Sequence, residues 1–279
     1  MQDWLGRTRR ESDELALGAV RRLAALLDQD PSAYERGSIV PESWYAILFG
    51  PTARQSEIGP DGHPKTGDDF LPPLHNKRRM FAGRRVAFKQ PLTVGDTVTR
   101  VSTVAKVEPK TGRSGSFTLL TVVHEMSAGG NVAIVEEQDL VYRQMVAGEQ
   151  KQATRPAATP EPKGDWSVPW TPDTVELFRY SALTFNAHRI HYDLPYAREQ
   201  EGYPALVING GLTALMLIEA ARPHLPGAII SYDARAMQPL FIGDAVALNG
   251  RLSDDTAELW AGGPSGATHY RVGVKVKSG

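Results

Sequence analysis

One nine-residue pattern occurs twice in the chain. Gln90-Pro-Leu-Thr-Val-Gly-Asp-Thr-Val98 returns 148 residues later as Gln238-Pro-Leu-Phe-Ile-Gly-Asp-Ala-Val246. Each copy comes after a short strand-like run, 85–89 and 231–237, and precedes further runs rich in Val, Thr and Leu. Proline followed by Gly-Asp is turn chemistry at the edge of a strand pair. A period this long does not suit a solenoid and does suit a duplicated domain. At 279 residues the chain has room for two such units, each with its own core.

The rest of the pattern can be placed around the two turns. An amphipathic helix is expected over 12–27, with Leu15, Ala19, Leu23 and Leu26 on one stripe. Residues 41–50 are apolar and aromatic, and 55–73 read as a long Gly-, Pro- and Asp-rich loop. Strands are expected at 84–88, 97–107, 116–126 and 132–142. Residues 147–165 lack any aliphatic pattern and are broken by prolines and glycines, as in a linker. This divides the chain into domains 1–146 and 166–279. In the second domain a helix is expected over 171–182, capped by Thr171 with Pro172 in its first turn. A second helix over 211–221 has almost no polar face and should be buried nearly all round. Strands at 228–237, 245–252, 256–261 and 269–277 complete it. Each half therefore reads as one helix wrapped by a strand meander, the helix of the first half being the weaker.

The chemistry concentrates in 185–193, Phe-Asn-Ala-His-Arg-Ile-His-Tyr-Asp. Imidazole titrates nearest neutral pH and is the usual proton carrier. The apolar segment soon after it opens with Gly210-Gly211, and a helix start offers free N–H groups to a developing oxyanion. His188 and His191 would share a helical face, so a metal site is one reading. Without any cysteine or another His-rich segment, no metal is expected. The lack of cysteine also excludes a disulfide framework and a thiol nucleophile. A net charge of -1 argues against a nucleic-acid partner, although Lys77, Arg78, Arg79, Arg84 and Arg85 crowd together. No apolar run is long enough to span a membrane and no leader is visible, so a cytoplasmic enzyme is expected.

These residues carry a resemblance. The chain resembles the MaoC-like, type 2, (R)-specific enoyl-CoA hydratases and hydroxyacyl-thioester dehydratases. Their motif runs Asp-x-Asn-Pro-Leu/Ile-His-x-Asp, followed by His-Gly at the mouth of a central helix. Here the matching residues are Asn186-Ala-His188-Arg189-Ile190-His191-Tyr-Asp193 and then Asn209-Gly210. The departures, Asn for Asp and His-Arg for Asn-Pro, resemble the mesaconyl-CoA and itaconyl-CoA hydratase branch. So do 78–83, 110–115 and 136–142. The resemblance implies an α+β double hot-dog fold, two bent antiparallel sheets each around a central helix. It implies a hydro-lyase acting on a short, branched dicarboxylic enoyl-CoA, with an itaconate-degrading role, no cofactor and a homodimer.

By the same resemblance, the catalytic residues are His191, Asn186 and Gly210. His191 would move both protons. Asn186 cannot act as a base but can position water through its carbonyl and its NH2. Gly210 would give an N–H to the enolate oxygen. Arg189, Arg78, Arg79, Arg84 and Arg85 are the candidate ligands of a second carboxylate or of CoA phosphates. A dehydratase of monocarboxylic chains, a thioesterase and a non-catalytic acyl-binding protein remain as alternatives. The thioesterase is disfavoured because Asn186 replaces the carboxylate it would use.

Overall fold

The computed structural model describes residues 1–65, 70–73, 77–112, 115–144, 163–264 and 266–277. Ten strands form one antiparallel sheet. They are β1 (Thr8–Glu14), β2 (Lys77–Phe88), β3 (Thr97–Gly112), β4 (Gly115–Ala128) and β5 (Asn131–Gln144), then β6 (Trp166–Trp170), β7 (Ile229–Ala236), β8 (Val246–Ser253), β9 (Thr256–Gly262) and β10 (Thr268–Val276). Their order is β1-β3-β4-β5-β2-β7-β10-β9-β8-β6. The second half is the mirror sequence of the first about the β2–β7 junction, where Val86 faces Tyr232. Both halves have the expected antiparallel hot-dog topology, and they share a single sheet. Of the expected linker 147–165, only 163–165 lies within the described residues.

Both copies of the repeat do the same work at equivalent places, after β2 and after β7. In each, a glycine with positive φ (Gly95 at 97°, Gly243 at 88°) turns the chain. The next residue, an aspartate, then closes the turn. Asp96 accepts from Thr93 N at 2.7 Å, and Asp244 accepts from Phe241 N at 3.0 Å. The leucine of each copy accepts a hydrogen bond from the segment that leads into its half's central helix. Val40 N donates to Leu92 O at 3.0 Å, and Ile208 N donates to Leu240 O at 2.9 Å.

Beyond that segment the two halves differ. The second continues into α4 (Gly210–Ala221), whose Leu212, Leu215, Leu217 and Ile218 are buried against β8, β9 and β10. The first continues only into a 3-10 turn, Glu42–Ile47, because Phe49 takes φ of 60° and Gly50-Pro51 stop any helix there. The missing turns leave the inner face of β3–β5 without a helix to cover it. Two further helices flank the site: α2 (Thr174–Leu183) and α3 (Leu194–Glu199).

Some boundaries move. The expected helix 12–27 is α1 (Leu17–Leu26), and its first residues belong instead to β1, which pairs with β3. α2 is capped by Asp173, which accepts from Glu176 N at 2.8 Å, and not by Thr171. No helix among the described residues is long and apolar enough to cross a membrane.

The equivalence of the two turns has a measurable consequence. Asp96→Ala and Asp244→Ala should each lower stability by about 1–2 kcal/mol, the cost of leaving a backbone donor without its partner. Both should shift the urea midpoint with an unchanged slope. A loss confined to one copy would contradict the equivalence.

Candidate active site

The cluster lies on the loop between α2 and α3. Phe185 breaks away from α2 with φ of 52°, and Asn186 N still donates to Ser181 O at 2.8 Å. The Asn186 side-chain oxygen accepts from His188 N at 3.1 Å, which folds the loop into a tight turn. A single 3-10 turn comes next, over Arg189–His191. Asp193 then caps α3, accepting from Tyr196 N at 3.0 Å, and takes Arg189 at 2.7 Å.

Two hydrogen bonds fasten this loop to the mouth of α4. Val207 N donates to Ile190 O at 3.0 Å, and His191 Nδ1 meets Val207 O at 2.7 Å. A carbonyl oxygen can only accept, so Nδ1 carries the proton and Nε2 is left with its lone pair. His191 is buried on the wall of a cavity of about 1080 Å3. Burial, aided by the nearby His63 and opposed by the Val207 carbonyl, brings its pKa down to about 4. The ring is therefore a neutral base at neutral pH, with its tautomer set.

Gly210 is the first residue of α4, and no side chain caps that helix start. Asn209 precedes it, buried, with its amide nitrogen 3.4 Å from Ser181 Oγ and its oxygen without a partner among the described residues. The first-turn N–H groups and the helix dipole thus face the cavity that Asn186, His191, Gly210 and Gly211 all line. At Gly210 a Cβ would make ordinary contact with the Tyr270 ring at 3.4 Å. At Gly211 it would collide with the Tyr180 hydroxyl. The packing requirement for glycine is therefore at 211 and not at 210.

The Asn186 oxygen already accepts from His188 N, which leaves its NH2 and a second lone pair on that oxygen for a ligand.

The basic candidates separate. Arg189 lines the cavity but is committed to Asp193 and to Pro60 O at 2.8 Å. Arg84 lines the same cavity. Arg85 does not: adjacent strand residues face opposite sides, and Arg85 pairs with Glu137 and Asp139 at 2.9 and 2.7 Å. Arg79 is also absent from the cavity wall, and the Arg78 side chain lies outside the described residues. Among the described residues, then, the cavity wall does not include Arg79 or Arg85.

Several wall residues go unread in the sequence. The uncovered face of the first half contributes Arg9, Arg100, Ser102, His124, Glu136 and Gln138. Ser102, His124 and Glu136 are successive cross-strand neighbours, and Ser102 Oγ lies 2.7 Å from His124 Nδ1. A signal exists in β4, where His124 falls between the buried Val122 and Met126 at period two.

The loop of the first half also enters the site. Arg189 N donates to Asp61 O at 2.9 Å, and a Cβ on Gly62 would overlap the Ala187 carbonyl. This loop brings His63 to stack on His188, with ring centres 4.2 Å apart. Among the described residues, the one group that could ligate a metal is Asp61, His63 and His188, whose ligand atoms lie within 4.8 Å of one another, and it does not include His191. Burial raises the Asp61 carboxyl, but hydrogen bonds from His63 outweigh it and hold the pKa at about 2.

The family of hydroxyacyl-thioester dehydratase type 2 matches residues 44–242. Mesaconyl-C(4)-CoA hydratase of Chloroflexus aurantiacus is 40% identical, over 98% of this chain and 96% of that protein. Among solved structures, HtdX of Mycobacterium tuberculosis covers 97% of this chain and 100% of its own, with 20% identity and a TM-score of 0.67. A conserved hypothetical protein of the same organism, described as a double hot-dog, aligns over 97% of this chain and 96% of its own at 15% identity and a TM-score of 0.57. The two structural likenesses establish the fold. The family match and the near full-length relative establish that the chain belongs to the hydroxyacyl-thioester dehydratase type 2 family of MaoC-like double hot-dog enzymes.

Proposed function

We propose that this chain is a hydro-lyase that adds water to, or removes it from, the double bond of a short branched dicarboxylic enoyl-CoA of the mesaconyl type. The observation that carries the reading is His191: a buried, neutral imidazole with Nδ1–H tied to Val207 O, beside the uncapped start of α4. The near full-length likeness to a mesaconyl-C(4)-CoA hydratase supports the substrate class.

In the hydration direction, His191 Nε2 takes a proton from water as the oxygen bonds to the β-carbon. The π electrons move toward the thioester and place negative charge on its oxygen. The Gly210 N–H and the helix dipole stabilise that oxygen. The imidazolium then returns the proton to the α-carbon, so His191 ends as it began. The Asn186 NH2 donates to the water oxygen and aims a lone pair at the β-carbon. A low pKa suits this role, because the base form persists across the neutral range.

Turnover of mesaconyl-C(4)-CoA, followed by loss of the conjugated-thioester absorbance, tests the reading directly. His191→Ala should reduce it by about 10²–10⁴, the range of a lost general acid–base group, with circular dichroism unchanged. Near-normal turnover in that variant would refute the assignment. The acid limb of kcat/KM should have a pKa of about 4, below the roughly 6.5 of a solvated histidine. A limb at the solvated value would mean that His191 is not the buried base described here. Asn186→Ala should lower kcat by roughly 10² through lost positioning of water. An unchanged kcat would leave Asn186 as a turn former only.

A further inference from the structure

In a mesaconyl thioester the second carboxylate is bonded to a carbon of the reacting double bond. Its receptor must therefore share the cavity with His191 and Gly210. A carboxylate removed from water needs a cation and hydrogen-bond donors there. Among the described residues, the charged side chains on the wall are Arg9, Glu11, Arg84, Arg100, Glu136 and Arg189. Arg189 is balanced by Asp193. The other five come from the first half, so its arginines are the candidate receptors.

Arg84 is the best placed of the three. Its side chain is 21% exposed, and it meets Glu136 only at 3.4 Å, longer than the roughly 2.8 Å of a good charge-assisted bond. Its Nε has no partner among the described residues. Glu136 is itself shared with Tyr45, whose hydroxyl donates to it at 3.1 Å. Arg100 shares the unpartnered Nε, but its ion pair with Glu11 is short, at 2.7 Å, and it lies over the Phe49 ring at 4.2 Å, closer than Arg84 lies to Phe81 at 5.1 Å; Arg9 lies over the Phe70 ring at 4.8 Å. Arg84 also acts at the mouth of α4. Burial raises the phenols of Tyr180 and Tyr270, and the charge on Arg84 draws both back. These are the two rings that Cβ atoms at Gly211 and Gly210 would touch.

We infer that Arg84, carried on β2 of the non-catalytic half, receives the second carboxylate of the substrate and selects dicarboxylic over monocarboxylic enoyl thioesters. The inference rests on the hydratase reading and adds to it the residue that discriminates. The guanidinium fork donates to both carboxylate oxygens, while Glu136 and the Tyr45–Tyr232 pair keep it in place.

The test compares kcat/KM for mesaconyl-C(4)-CoA and crotonyl-CoA in the full chain. Because Arg84→Met strands the buried Glu136, the double variant Arg84→Met/Glu136→Gln is measured beside it, with melting curves for both. The ratio of the two kcat/KM values should fall by about 100-fold, as expected when one partner of a buried charge pair is removed. Arg84→Lys should recover part of it. Arg85→Met, on the opposite face, should leave the ratio where it was. An unchanged ratio in a folded Arg84 variant, with the parent still preferring the dicarboxylic substrate, overturns the role of Arg84 alone. A parent that turns over crotonyl-CoA but not mesaconyl-C(4)-CoA overturns the dicarboxylic reading and the receptor with it.

Discussion

The Val207 carbonyl holds the proposed catalytic arrangement together. It accepts the Nδ1 proton of His191, which decides the tautomer, and it sits three residues before Gly210, whose N–H opens α4. The proposed base is thus tied by a hydrogen bond to the short segment that carries the proposed oxyanion donor. That segment is held from both sides. Val207 N bonds to Ile190 O on the loop, and Ile208 N bonds to Leu240 O on the second copy of the repeat. The duplicated turn is therefore part of the site's scaffold, though none of its residues performs the chemistry.

The two halves show what one lost helix can do. The first keeps the strand order, the turn and the segment that enters its central helix. It then has Pro41 and Glu42 where the second has Asn209 and Gly210, and its helix ends after a single 3-10 stretch. The sheet face that a helix would have covered becomes the polar wall of the cavity. Charged and hydroxylic residues are tolerated there because they bond one another across strands, as Arg100 does to Glu11 and Ser102 to His124. The cavity lies against this part of the first half's wall. The first half also sends its long loop over to brace Arg189 and Ala187.

Much of this is legible in the chain itself. The repeat implies duplicated topology, period-two runs place eight of the ten described strands, and the 185–193 motif contains the proposed base. The misses have definite physical causes. β1 reads as the start of a helix because its charged, alternating pattern is stabilised only by pairing with β3. The role of the 55–73 loop is invisible in sequence because Asp61, Gly62 and His63 act through partners more than a hundred residues away. Five arginines look alike in sequence, yet Arg84 and Arg85 part company because adjacent strand residues face opposite sides.

By itself the sequence determined the local matters: which segments alternate, where glycine and aspartate must turn the chain, that α4 is apolar all round, and that one histidine cluster precedes it. Those features arise from covalent geometry and side-chain type, which act over a few residues. Only the tertiary structure decided which nitrogen of His191 is free, that the Asn186 oxygen accepts from His188 N, and which of the described cations face the cavity. Each of these depends on what a distant strand or loop places within about 3 Å, the reach of a hydrogen bond. Burial then converts those contacts into chemistry, because a group withdrawn from water takes its protonation state from its neighbours.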